Sequence, residues 1–171
     1  MAMPKFQDPM EGQVTVLKTG RCDSLSGKSD LTYQLGCTED NEIYARISDN
    51  TGGGFFSKEW VSLKAIQDVL EDNPEDEPLT SFMIQGLFIG KSVNTPAFLM
   101  AALVQERWLR VLKGKKRGLE VLDTPKFMAK MSRLVTTKKN AKARRPSSKK
   151  KKKTAIKSPA SNARKTASGA L

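Results

Sequence analysis

The chain has 171 residues, 30 Lys and Arg against 18 Asp and Glu, a formal net charge of +12, two cysteines and no histidine. That length suits one domain, or one domain with an appendage, and the lack of histidine removes the commonest general base, the commonest metal ligand and the Ser-His and Cys-His nucleophile pairs. No apolar run approaches the ~20 residues that span a bilayer, and Cys22 and Cys37 are too few for a zinc site without carboxylate help.

Residues 1–12 carry two prolines and no periodic pattern, so a loose start is expected. Gln13–Lys18, Leu31–Leu35 and Ile43–Ile47 alternate apolar and polar positions, the period of half-buried strands. Gly20–Asp30 is rich in Gly and Ser and reads as a loop, and Thr38–Asn41 is a polar connection of hairpin length. A small antiparallel β-subdomain over residues 1–61 follows. Asp49–Gly54 is a turn, after which Phe55 and Phe56 re-enter the core. Ser62 is placed to cap a helix over Leu63–Glu71 with Leu63, Ile66, Val69 and Leu70 on one face, and Asn73-Pro74 stops it. The acidic stretch Glu75–Pro78 reads as a solvated linker.

Thr80 or Ser81 begins a short helix to about Phe88, closed by Gly90. Asn94-Thr95-Pro96 combines a cap with proline at the first helical position, and the helix runs to about Trp108. Ala97–Val104 is apolar nearly all round, which suits a helix buried in its own chain or packed on a partner. Leu109–Leu112 and Leu119–Leu122 read as strands around the basic loop Lys113–Gly118. Thr124-Pro125 repeats the cap-plus-proline start of a last helix with Phe127, Met128, Met131, Leu134 and Val135 on its apolar side.

From Thr136 the sequence is dominated by Lys, Ser, Thr and Ala, and a disordered basic tail is expected over residues 136–171. Residues 1–125 hold 14 cationic and 18 acidic side chains, a balance of −4, whereas residues 126–171 hold 16 cationic and none acidic, a balance of +16. Such a division is the pattern of a nucleic-acid-binding arm. Each phosphate neutralised releases counterions, so affinity for B-DNA falls with salt at a slope of about −0.9 per contact.

The order of elements from Thr80 to Leu134 resembles a winged helix-turn-helix domain: short helix, tight turn, longer helix, β-hairpin with a basic tip, closing helix. The pattern Ser92, Thr95, Leu99, Leu103, Trp108, Leu109, Arg110 is similar to that of the MarR-like regulators. The resemblance implies a winged-helix region over residues 62–135, and hence an α+β chain with the β-subdomain before it and the basic tail after it. It also implies DNA contact by Lys91, Ser92, Asn94 and Thr95 at the turn, and by Lys113, Lys115, Lys116 and Arg117 at the wing. The tail adds phosphate contacts at Lys138, Lys139, Lys142, Arg144 and Arg145, and at the unbroken run Lys149, Lys150, Lys151, Lys152 and Lys153.

The expectation is therefore a non-enzymatic DNA-binding regulatory or accessory protein without cofactor or metal. It would act in the cytoplasm at the nucleoid, or in the nucleus if the source is eukaryotic. Two alternatives differ in class. A protein-interaction adaptor, or a homodimer, would use the apolar helix at residues 96–104. A binder of RNA or single-stranded DNA would stack bases on Tyr33, Tyr44, Phe55, Phe56 and Trp60 of the β face. The tripeptides Gly27-Lys28-Ser29 and Gly90-Lys91-Ser92 end like a phosphate-binding loop, but the required earlier glycines are Cys22 and Gln85, so neither completes the motif.

Overall fold

Alternating side chains decide the sheet. In a computed structural model that describes residues 7–144 apart from Lys91 and Lys116, β1 (Thr15–Asp23), β2 (Asp30–Cys37), β3 (Ile43–Asn50) and the two-residue β4 (Val61–Ser62) form one antiparallel sheet in sequence order. Tyr33 and Leu35 of β2 and Ala45 and Ile47 of β3 point to the same face and are buried there. The helices cover that face: α1 (Leu63–Glu71), a 3₁₀ helix over Ser81–Leu87, α2 (Thr95–Gln105) and α3 (Thr124–Ala143). A two-stranded hairpin, β5 (Leu109–Val111) and β6 (Leu119–Val121), lies between α2 and α3. The chain is α+β, as its element pattern implies.

One apolar cluster joins Tyr33, Leu35 and Ile47 of the sheet to Ile66, Leu99, Leu103, Trp108 and Met131 of the helical half. The division expected at residue 61 therefore does not separate two cores. The reason is α2, whose Leu99, Met100, Ala101, Ala102 and Leu103 are all buried. A helix apolar all round must be covered all round, and here the sheet and the other helices cover it. Trp108 stacks on Phe127 with ring centroids 4.5 Å apart, tying the start of the hairpin to α3.

Several boundaries differ from the sequence expectation: α2 ends at Gln105 and not near Trp108, and β3 runs to Asn50, into the expected turn. β1 runs through Gly20 to Asp23, where a loop was predicted. Gly20 lies opposite Tyr33 in the ladder, and a Cβ there would overlap the Tyr33 ring, so the glycine serves close approach and not a turn. α3 is capped by Asp123, whose side chain accepts from the Lys126 amide at 2.9 Å. It continues to Ala143, eight residues past Val135, where a disordered tail was expected. Between Val135 and Arg144 there is neither Gly nor Pro, so propagation of an established helix proceeds, one hydrogen bond per residue fixed. The Ser62 cap of α1 and its span are as predicted, with Ser62 Oγ accepting from the Ala65 amide.

A single carboxylate fastens these parts. Glu106, at the C-terminal cap of α2, is 2% exposed. Its Oε1 accepts from Lys18 Nζ of β1 and from the Tyr33 hydroxyl of β2, both at 2.5 Å, and its Oε2 accepts from Lys130 Nζ of α3 at 2.6 Å. Burial pushes the Glu106 carboxyl up, but the bonds from Lys130, Lys18 and Tyr33, with the Lys18 charge, outweigh it and hold the carboxyl below the usual range. Burial and the same carboxylate raise the Tyr33 hydroxyl, which stays a donor. Burial also pushes the nearby Cys22 thiol up to about 11, with help from Asp23 and Glu106, so it is a poor nucleophile at neutral pH. Cys22 pairs with Leu31 and Cys37 with Thr15, near opposite ends of the β1–β2 ladder. At about 3.3 Å per residue they lie far beyond disulfide reach, and both are free thiols.

Because Glu106 holds its proton less tightly folded than unfolded, its contribution is present above the unfolded value near ~4.3 and is lost as pH falls through the lower folded value. Glu106→Gln is expected to destabilise the chain by about 2–3 kcal/mol at pH 7. It should also flatten the decline in stability below about pH 4.5, read as urea midpoints across a pH series. Gly20→Ala should cost about 1–3 kcal/mol through overpacking against Tyr33, in the same measurement.

Candidate nucleic-acid interface

The expected contacts divide into three groups, and tertiary structure treats each differently. At the turn before α2 the polar side chains are turned inward. Ser92 is buried, its Oγ donating to the Phe55 carbonyl at 2.8 Å and accepting from the Asn94 amide at 3.3 Å. Asn94 Nδ2 donates to the same carbonyl at 3.0 Å. Thr95 is 1% exposed, and its Oγ1 accepts from the Ser57 amide at 2.9 Å. These side chains bind the Gly52–Ser57 loop to the start of α2, and the burial of Ser92 and Thr95 closes them to phosphate. Lys91 lies outside the described residues.

The loop before that turn has its own anion. Glu59, 4% exposed, accepts from the Ile89 amide at 2.6 Å, the Gly90 amide at 2.9 Å and Ser57 Oγ at 2.6 Å. A Cβ on Gly90 would stand 2.9 Å from Glu59 Oε2, so glycine is needed for this approach. The Gly90 amide that opens Gly90-Lys91-Ser92 is thus occupied, with that of Ile89, by a carboxylate of the same chain.

The hairpin tip is open. Leu109 pairs with Val121, Arg110 with Glu120 and Val111 with Leu119, and Arg110 and Glu120 also form an ion pair. The Leu112 amide donates to the Gly118 carbonyl at 2.9 Å and the Gly118 amide to the Lys115 carbonyl at 3.2 Å, closing a loop in which Gly114 and Arg117 have φ of 82° and 67°. Both are left-handed conformations, routine for glycine and costing an L-residue such as Arg117 about 1 kcal/mol. Lys113, Lys115 and Arg117 are exposed. Lys116 is outside the described residues.

The third group lies on α3. Phe127, Met131 and Val135 form its buried stripe at four-residue spacing, one face of a helix. Lys138, Lys139 and Lys142 continue the same stripe at spacings of three and four. From Thr136 to Arg144 every residue is exposed. The helix face that is apolar against the body therefore becomes cationic where the body ends, over about 13 Å of axis. Lys142 sits in the last turn, where the helix dipole favours a cation. No acidic residue occurs after Asp123. The expected tail contacts Arg145, Lys149, Lys150, Lys151, Lys152 and Lys153 lie outside the described residues.

Three further cations lie on α3 outside the expected contacts: Lys126, Lys130 and Arg133. Their spacing of four and three places them on the α3 face opposite Met131, which was legible from the helical period. Lys130 is engaged by Glu106; Lys126 and Arg133 are exposed. On the sheet, Tyr33 and Trp60 are buried, with the Arg46 guanidinium 4.3 Å from the Trp60 ring centroid. Tyr44 and Phe56 are half-buried, leaving Phe55 as the one exposed aromatic of the five proposed for stacking.

Comparison with protein-family models, with curated proteins and with solved structures finds no match to this chain. Among the described residues no helix is long and apolar enough to cross a membrane, and no group of three His, Cys, Asp or Glu side chains is placed to hold a metal ion.

The two halves of α3 should respond oppositely to truncation of their side chains. Met131→Ala is expected to cost about 2–5 kcal/mol, whereas Lys138, Lys139 and Lys142 changed together to Ala should leave the urea midpoint within about 0.5 kcal/mol of the parent.

Proposed function

We propose that the chain is a DNA-binding regulatory or accessory protein whose α3 overhang and following basic segment grip phosphate without reading sequence. The observation that carries this reading is the exposed, acid-free end of α3, where Lys138, Lys139, Lys142 and Arg144 prolong a helix anchored by Phe127, Met131 and Val135. A rigid helical base presents its cations at fixed spacing, so less entropy is lost on binding than for the same lysines on a free chain. The run Lys149, Lys150, Lys151, Lys152 and Lys153 follows this base in sequence and extends the same acid-free charge. The exposed tip cations Lys113, Lys115 and Arg117 add a second basic element on a closed hairpin.

The order α1, 3₁₀ helix, α2, hairpin, α3 supports the winged-helix resemblance in its sequence of elements. The burial of α2 bears on how such a domain would act. With Ser92 and Thr95 engaged internally and Leu99 to Leu103 in the core, base readout by α2 is limited to flanking positions such as Gln105 and Arg107. Phosphate contact, which positions a protein but does not specify a base sequence, is the stronger element. The inward packing of α2 also accounts for its apolar composition without a protein partner.

A salt titration of binding to random-sequence duplex tests this directly. The parent chain should show a log–log slope steeper than about −4, and changing Lys138, Lys139 and Lys142 to Ala should make it shallower by up to about 2.7. Equal affinity of parent and variant across the salt range removes α3 from the interface. No binding by the parent at about 50 mM salt, where phosphate contacts are strongest, overturns the DNA reading.

A further inference from the structure

The acidic run expected to be a solvated linker is a fixed wall of a cleft. The Asn73 Nδ2 donates to the carbonyls of Pro74 and Glu77 at 3.0 and 2.8 Å, and the Glu77 amide donates to the Pro74 carbonyl at 3.0 Å. Leu79 then pairs with Leu119 of β6 through two backbone hydrogen bonds of 2.9 and 2.8 Å. Between this turn and the hairpin lies an open cleft of about 590 Å³. Its apolar lining includes Leu79, Trp108, Leu112 and Leu122, and its acidic side carries Glu71, Glu75, Asp76 and Glu77. Among the described residues none of these four carboxylates is in an ion pair, and Lys115 is the only cation in the lining. Residues 71–77 hold five acidic side chains, four of them in the cleft lining, and like charges so close repel one another unless a cation is near.

We propose that this cleft docks the chain's own basic segment, with Ile156 on the apolar floor and Lys153 and Lys157 against the carboxylates of residues 75–77. Charge complementarity singles this segment out. Residues 126–171 carry 16 cations and no acid, and Ile156 is the only large apolar side chain between Val135 and Leu171. The reach is sufficient. Thr124, the first residue of α3, lines the cleft, and the far end of α3 lies about 30 Å away at 1.5 Å per residue. An extended chain covers about 3.3 Å per residue, so from Arg144 the return distance is met by about residue 153. Lysines earlier than this fall short of the cleft. Slack beyond residue 153 lets the tether raise the local concentration of Ile156 and Lys157 at the cleft. Docking and polyanion binding then compete for Lys153 and Lys157.

Zero-length carbodiimide cross-linking of the full chain, read by mass spectrometry in the absence of nucleic acid, tests the docking independently of DNA binding. Lys153 and Lys157 are expected to cross-link to Glu75, Asp76 or Glu77 within the monomer, with a yield unchanged on dilution. That yield should collapse between about 10 mM and 1 M salt as the Debye length shrinks from about 30 to 3 Å. Ile156→Asp, outside the described fold, should reduce it several-fold. Cross-links found only in dimers would overturn same-chain docking in favour of a second copy. Cross-links spread equally to Glu39, Asp40 and Glu42, or none at all, would overturn the site itself. If cross-linking succeeds, changing Glu75→Gln, Asp76→Asn and Glu77→Gln together should tighten duplex binding several-fold. An intact cross-link in a chain that binds no duplex refutes the DNA reading and leaves the docking standing.

Discussion

The fold turns on one buried negative charge. Glu106 ends α2 and gathers Lys18 from β1, Tyr33 from β2 and Lys130 from α3 onto two oxygens. A carboxylate that far inside costs several kcal/mol to desolvate unless every lone pair finds a donor, and here three donors meet it. The two lysines keep part of their surface in water, at 37% and 47% exposure, so the cluster escapes most of the desolvation that makes fully buried ion pairs unprofitable. The geometric result matters more than the energy. Tyr33 is drawn over Gly20, α2 is seated on the sheet, and α3 is fixed at Lys130.

That anchorage explains how a highly charged helix can have a defined direction. Up to Val135, α3 is held by Phe127, Met131 and the Trp108–Phe127 stack. Beyond it, no apolar face remains, and the helix persists because it has already been nucleated and ends with cations near its negative pole. The body thus converts a Lys-rich sequence, which alone would be an ensemble, into a partly rigid array of charge.

Charge of both signs is sorted in space as well as in sequence. Glu59 fills the amide cradle at Ile89 and Gly90, and Glu106 is enclosed by its donors. The Glu71–Glu77 side of the hairpin cleft, by contrast, gathers several carboxylates that are in no ion pair among the described residues. If the proposed docking holds, a polyanion approaching the α3 overhang and the hairpin tip would meet an internal competitor in this cleft. Competition of that kind lowers non-specific affinity without any change in the cationic residues themselves.

Local rules were sufficient for the elements. Period-two alternation placed β2 and β3, Ser62 announced α1, and the proline starts announced α2 and α3. The basic surface was half legible: the hairpin tip and Lys138, Lys139 and Lys142 follow from charge runs, while Lys126 and Arg133 required the helical period to be carried through α3. Partners across the chain decided the rest. Gly20 reads as a loop residue until Tyr33 lies over it, and Ser92 and Thr95 read as ligands until the loop at residues 55–57 takes their hydrogen bonds. Glu106 has no sequence signature at all, because its three donors come from positions 18, 33 and 130. Propensity and periodicity are properties of neighbours along the chain; burial and ion pairing are properties of neighbours in space, and only the folded chain chooses those.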